Sequence, residues 1–299
     1  ARFVMPQVRL SKAEKHFIEE GIRENVRADG RGRLDFRQFS LDVGVVPHAS
    51  GSAHIRLGLT EAIVAIKAEI TEPKADQPDC GFMEVSVSSS PMAAWEFEGG
   101  DRERMDLMLT QALARILIGP NTIDWESLCI IPQKQCWVLY VDAMVVESGG
   151  NVLDAISIGA KVALQDTRIP VISVVEGSKG AKDQIEVSDD VRNFSLLDAS
   201  RVPLAVTLLR VGTVYVADPT LEEELCIASR LTIAVNSKGT ICSVSKAGKA
   251  GIHPNDLMSM VNVAKELALG IIKYITELVQ KHPDEAGAAD PDSYGFAPT

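Results

Sequence analysis

The sequence predicts an α+β fold in two βα lobes, from three observations. Each half of the chain offers strand-length alternating patterns together with helix-period patterns, without the strict βαβ alternation of a doubly wound sheet. The length, 299 residues, makes about two compact units at roughly 150 residues each, or one large one. Hydrophobic residues at 46% against charged residues at 24% supply a real core. The expected division is an N-terminal helix and lead-in over 1–30, a first lobe over 31–170 and a connecting segment over 171–200. A second lobe over 201–280 follows, then an acidic tail over 281–299 whose Ala, Pro and Gly content predicts disorder.

The elements follow in order. Ser11-Lys12-Ala13-Glu14 is a capping box, and Phe17, Ile18, Ile22 and Val26 continue it at helical spacing. The helix is expected to stop at Arg27-Ala28-Asp29-Gly30-Arg31. Strand patterns run through Leu34–Val46, Ala53–Leu57 and Glu61–Ile70, broken at Ser50-Gly51-Ser52 and Gly58-Leu59-Thr60, which predicts an antiparallel meander. Phe82–Ser88 is a further alternating strand. Asp101–Ile118 is helical until Gly119-Pro120 ends it. Gln135–Glu147 is nearly all apolar, hence a strand buried on both faces. A helix capped by Asn151 runs to about Gln165, and Pro170 closes the unit.

The second half repeats the style. Val171–Val175, Ala205–Val211 and Thr213–Ala217 read as strands. Ser229–Val235 and Thr240–Lys246 flank the hairpin turn Asn236-Ser237-Lys238-Gly239. Leu257, Val261, Ala264, Ala268, Ile271, Ile275 and Leu278 then draw one apolar stripe along a long helix, expected to pack within the second lobe.

Composition excludes several classes. The net charge of −11 argues against a free-standing nucleic-acid binder, which needs cations to neutralise phosphates, and leaves room only for a local basic patch. No apolar run approaches the roughly 18 residues of a membrane span, and no secretory signal is expected at the N-terminus. Five scattered cysteines form no C-x-x-C pair, so neither a zinc site nor a disulfide framework is legible and a reducing compartment is expected.

Two stretches carry possible chemistry. Asp218, Glu222, Glu223 and Glu224 follow an apolar strand and offer oxygen ligands of the kind magnesium takes, although a solvated acidic turn explains them more simply. Ser245-Lys246-Ala247-Gly248-Lys249-Ala250-Gly251 combines lysines with glycines as an anion-binding loop does, without P-loop spacing. Residue chemistry alone names no function.

The motifs taken together are similar to a known family. Arg27-Ala28-Asp29-Gly30-Arg31 matches the R-x-D-G-R opening of the RNase PH fold, which is ribosomal protein S5 domain 2-like. Ser50–Ser52, Gly58–Thr60, Gly149-Gly150-Asn151 through Ile169-Pro170, Asp218-Pro219-Thr220 and Ser237-Lys238-Gly239 extend the resemblance from about Ser11 to Leu278. In detail the chain resembles the ring subunits of the eukaryotic RNA exosome, and among them the group whose archaeal counterpart is the non-catalytic ring member.

Active members of that family are phosphorolytic 3′→5′ exoribonucleases, using arginines and a magnesium held by two aspartates. Laid from Asp218, the metal motif puts the first aspartate at Glu224 and the second at Arg230, a cation where a cation must bind. The RNA- and phosphate-clamping arginines fall at Leu107, Gln111 and Ala114, none able to bind phosphate. The family's phosphate-loop threonine falls near Lys246-Ala247 and is lost.

The resemblance therefore implies a structural subunit without catalytic residues, metal or cofactor, in a hexameric ring that threads RNA to an associated nuclease. Implied partners are other RNase PH-like ring subunits, RNA-binding cap subunits, that nuclease, and RNA in the pore, with no membrane. Implied locations are nucleus, nucleolus and cytoplasm, and implied tasks are rRNA maturation and mRNA turnover. Arg102, Arg104, Lys246 and Lys249 are the candidate RNA contacts. The alternatives are an active phosphate-dependent exoribonuclease and a scaffold without RNA contact.

Overall fold

The structure, a computed structural model, describes residues 10–91, 93, 100–175, 184–187, 193–211, 214–226 and 229–281. Beyond Lys281 the expected tail lies outside the described residues, as does much of the connecting segment.

Helix α1 (Lys12–Arg23) opens on the expected capping box, with both Ser11–Glu14 hydrogen bonds made. It ends at Arg23, short of the expected stop, and the chain turns at Asn25 with φ 59°. Ile22, helped by Ile18, packs on Val211 and Val216 far along the chain. The N-terminal helix thus docks on the second lobe, although the first follows it in sequence.

The first sheet contains β1 (Phe39–Val43), β2 (Gly51–Leu57), β3 (Thr60–Thr71), β4 (Phe82–Ser89), β5 (Cys129–Ile131) and β6 (Gln135–Glu147), in spatial order β1-β2-β3-β6-β4 with β5 beside β6. Strands β1 to β3 form the expected meander. Strand β4, however, runs parallel to β6, because α2 (Gly100–Leu117) carries the chain back between them. Of the loose pattern over Leu34–Val46, only Phe39–Val43 is strand.

Helix α3 (Val152–Asp166) is the centre of the molecule. Every residue from Val152 to Leu164 is buried, because the helix lies between β2 and β3 on one side and β11 (Leu204–Val211) on the other. A helix apolar on all sides is stable only in such a position. Its single buried cation, Lys161, donates from Nζ to Val202 O at 2.6 Å, and burial pulls its pKa down to about 8. Asn151 does not cap the helix through its side chain; it sits in the left-handed region at φ 55° and sends its amide elsewhere.

Beyond α3, β7 (Arg168–Pro170) pairs with β10 (Phe194–Leu196), and β8 (Ile172–Val175) with β9 (Gln184–Val187). The second sheet is antiparallel in the order β12-β11-β13-β14, with β12 (Val214–Ala217), β13 (Ser229–Val235) and β14 (Ile241–Gly248). The short α4 (Leu221–Glu224) follows β12. Helix α5 (Pro254–Lys281) lays Met260, Ala264, Ala268 and Ile275 on β11 and β13. It also reaches the first lobe, where Tyr274 meets Phe39 edge-on with ring centroids 5.2 Å apart.

Where the lobes meet, Gly150 has φ 94°, and a Cβ there would lie 2.5 Å from Leu221 N and 2.7 Å from Thr220 C. Both obstacles are backbone, so neither can rotate away. Gly150→Ala is expected to lower unfolding free energy by about 2 kcal/mol or more in urea titration; an unchanged midpoint would show that the lobes tolerate separation here.

Candidate functional site

The site grows from the two turns that face each other across the lobe junction. One is Arg27 to Arg37, and the other runs from the end of β12 through α4. Arg27 is fully buried and forks onto Glu223, Nε to Oε1 at 2.8 Å and Nη2 to Oε2 at 2.5 Å. Its remaining donors reach Ala217 O at 3.1 Å and Asp218 O at 2.9 Å. Glu223 is held in place by Thr220, whose backbone N–H donates to it in a second capping box.

Asp218 is the hub. Its Oδ2 accepts from Arg31 Nη1 at 3.0 Å, Arg37 N at 2.8 Å and Arg37 Nε at 2.9 Å. Its Oδ1 accepts from Arg37 Nη2 at 2.7 Å and from Asn151 Nδ2 at 2.9 Å. Burial alone would push this carboxyl up; the Arg37 guanidinium outweighs it, so the pKa lies below its ordinary value. Asp218 adopts φ 43°, in the left-handed region that Asp tolerates better than most residues. The solvated acidic turn expected from sequence is therefore corrected: Asp218 and Glu223 are buried acceptors for three arginines.

From the hub a polar chain runs inward. Asn151 Nδ2 also donates to Asp154 Oδ2 at 3.0 Å, and Asp154 accepts from Thr207 N at 2.8 Å and Thr207 Oγ1 at 2.7 Å. Thr207 Oγ1 lies 3.0 Å from Thr232 Oγ1. Burial pushes Asp154 up to about 7, against these donors.

Beside this chain a cavity of about 240 Å³ opens between α2, α3 and the second sheet. Glu224 and Arg230 line it, with Ser245 and Ala247 of β14. Burial pushes the Glu224 carboxyl up against the pull of Arg230, and Glu224 Oε1 accepts from Asn151 N at 3.0 Å. Helix α2 turns Met105, Met108, Leu109, Ala112 and Ile116 to the cavity, with Gln111 and Arg115.

Among the expected degenerate positions the structure thus brings Gln111, Glu224 and Arg230 together. Leu107 and Ala114 are not among the described lining residues, and Leu107 is 57% exposed. The reason is helical phase, since each residue advances about 100° and the lining stripe passes through 108, 112 and 115. The helix therefore presents one guanidinium, Arg115, which reading the 107–111–114 row overlooked.

The expected basic patch is divided. Arg102, half-buried, and Arg104, exposed, stand in the first turns of α2. Lys246 is part of strand β14, not of an anion-binding loop; it is level with Leu231, whose face α5 covers, and its Nζ donates to Gly248 O at 2.9 Å. Lys249 lies exposed just beyond. None of the four is among the described residues lining the cavity.

Magnesium does not fit this site. Glu224 is the one carboxylate among the described lining residues, and it faces the charge of Arg230, while Asp218 is saturated by donors. Among the described residues no three His, Cys, Asp or Glu side chains are arranged to hold a metal ion.

Residues 35–170 match the 3′ exoribonuclease family, domain 1, and residues 201–266 match its domain 2. The chain belongs to the 3′ exoribonuclease (RNase PH) family. It is 34% identical to the putative exosome complex exonuclease RRP42 of Dictyostelium discoideum, covering 91% of this chain and 98% of that one. It is 36% identical to exosome complex component Rrp42 of Thermococcus kodakarensis, covering 92% and 97%. Among solved structures it resembles a chain of the Archaeoglobus fulgidus exosome with RNA bound to the active site, at TM-score 0.75 and 27% identity over 88% of this chain and 97% of that one.

Two measurements check the RNase PH-family junction. Arg37→Met strands the buried Asp218 carboxylate with fewer donors and is expected to remove about 3 kcal/mol of stability, with Asp218→Asn in the same chain restoring part; additivity of the two losses would contradict the pairing. Asp154 has a folded pKa of about 7, above its unfolded value of about 3.9. The folded state therefore keeps a proton that the unfolded state releases, and stability falls as pH rises from about 4 to about 7. The melting temperature is expected to drop between pH 5 and pH 8 relative to that of Asp154→Asn; parallel curves would contradict it.

Proposed function

We propose that this chain is a non-catalytic structural subunit of an RNA exosome ring, supporting 3′-to-5′ RNA processing and degradation by helping to thread RNA toward an associated nuclease. The observation that carries this reading is Arg230 beside Glu224 in the family's cavity. A phosphorolytic site must gather a divalent cation and an anionic nucleophile; the reading is supported by a guanidinium sharing the cavity with Glu224 and by a helix wall that is mostly aliphatic and thioether. The Rrp42 relatives, named as exosome components and matching nearly their full length, support assembly with other RNase PH-like chains. The fold itself is kept with a buried, fully bonded junction, as a subunit needs when its contribution is shape.

RNA contact in this reading is local and divided, through Arg102 and Arg104 in the first turns of α2 and through Lys246 and Lys249 at the end of β14, where Lys246 shares the sheet face of Leu231. The rest of a chain of net charge −11 repels phosphate and meets protein or solvent.

The test is incubation of the purified chain with RNA, inorganic phosphate and magnesium, with native mass measurement after mixing with RNase PH-like partner chains. The expected result is no nucleoside diphosphate above background and incorporation into a hetero-oligomeric ring. Robust diphosphate release by the chain alone, or a stable solitary monomer in the mixture, would overturn it.

A further inference from the structure

Three of the five cysteines, two on one hairpin and the third some fifty residues earlier, meet at the end of the first sheet opposite its lobe junction. In the antiparallel pairing of β5 with β6, Cys129 stands directly opposite Cys136. Opposed residues of such a pair have Cα atoms about 4.5–5.5 Å apart, inside the roughly 4.4–6.8 Å that a disulfide spans. Cys80 lies two residues before the start of β4. Phe82 is level with Val138 in the parallel pairing, so the preceding residues run back toward Cys136. Both flanks of Cys80 are fastened to the β5–β6 hairpin. Gln133 N donates to Pro78 O at 2.9 Å, and Gly81 packs so closely that a Cβ would lie 2.5 Å from Leu128 Cβ and 2.6 Å from Trp137 O.

Access differs among the three. Cys136 is buried and Cys80 and Cys129 are both half-buried, but of the three Cys80 alone is among the described residues lining a cavity of about 530 Å³, with Phe82, Trp125 and Arg201. Burial pushes the thiols of Cys129 and Cys136 up, with the nearby Cys80 adding to both. They rest as protonated thiols. No metal site is formed by these thiols and their neighbours among the described residues.

We infer that Cys80, Cys129 and Cys136 form a peroxide-responsive thiol–disulfide site, entered at Cys80 and closing as a Cys129–Cys136 disulfide. The oxidant is hydrogen peroxide. Cys80 Sγ takes one peroxide oxygen as the O–O bond breaks, giving a sulfenic acid, and the other oxygen leaves as water. Cys129 Sγ then attacks the Cys80 sulfur, the S–O bond breaks and a second water leaves. Cys136 Sγ attacks Cys129 Sγ and displaces Cys80, which regains its proton. In sum two thiols lose two electrons and two protons, and the peroxide becomes two waters. The product would staple the β5–β6 hairpin beside the larger cavity.

The experiment treats the full chain with hydrogen peroxide, blocks remaining thiols by alkylation and maps peptides without reduction. The expected product joins the Cys129 and Cys136 peptides with the loss of two hydrogens, is reversed by dithiothreitol, and leaves Cys226 and Cys242 alkylated. Cys129→Ser abolishes it, as does Cys136→Ser, the half-buried position 129 serving if the buried variant fails to fold. Cys80→Ser slows it by about tenfold or more, since Cys80 is the thiol that lines the cavity through which peroxide enters. Complete alkylation of Cys129 and Cys136 after peroxide would overturn the proposal, and so would an unchanged rate in Cys80→Ser.

Discussion

A single buried carboxylate fixes how the two lobes of this protein meet. Asp218, with no exposed surface, collects two guanidiniums, a backbone N–H and a side-chain amide. A charge in that position is tolerable only when every lone pair is answered, because removing an ion from water costs several kcal/mol that pairing must offset. The donors come from the segment after α1 and from the turn before α3, while the acceptor sits at the end of β12 in the second lobe. Displacing either lobe would orphan the charge, so the geometry of the junction is specified more sharply than apolar packing alone would specify it.

That constraint explains what the neighbouring acids do. Arg27 takes both oxygens of Glu223, leaving Glu224 as the acid turned to the cavity. Arg230 lines the same cavity, and its charge pulls against the burial that raises the Glu224 carboxyl. The acidic cluster has thus been divided between holding the lobes and balancing an arginine. Met105 and Met108 stand on the cavity wall, and Glu224 is the one carboxylate among its described lining residues.

Most elements were legible in the sequence because their signals were local: the Ser11–Glu14 box, the apolar run that becomes β6, the Asn236–Gly239 turn and the stripe of α5. What was not legible depended on partners distant in the chain. Nothing near Asp218 announces Arg37, so the acids read as solvated. Asn151 reads as a helix cap, yet tertiary acceptors draw its amide to Asp154 and Asp218. On α2 the resemblance to the family's arginine pattern pointed to Leu107, Gln111 and Ala114 but not to the phase of the helix against the sheet, so Leu107 was singled out and Arg115 passed over. The R-x-D-G-R segment was recognised through resemblance; only the structure shows that its first and last arginines are the grip on Glu223 and Asp218.

The central claim is that these acids serve the junction and the arginine, leaving none to hold a metal. A crystal of the protein soaked in manganese tests it most directly through the anomalous signal at the cavity. The account predicts no ion beside Glu224, with Asp218 still forked by Arg37 and Arg230 facing the glutamate. A manganese ion coordinated by Glu224, with Arg230 swung out of the cavity, would contradict it.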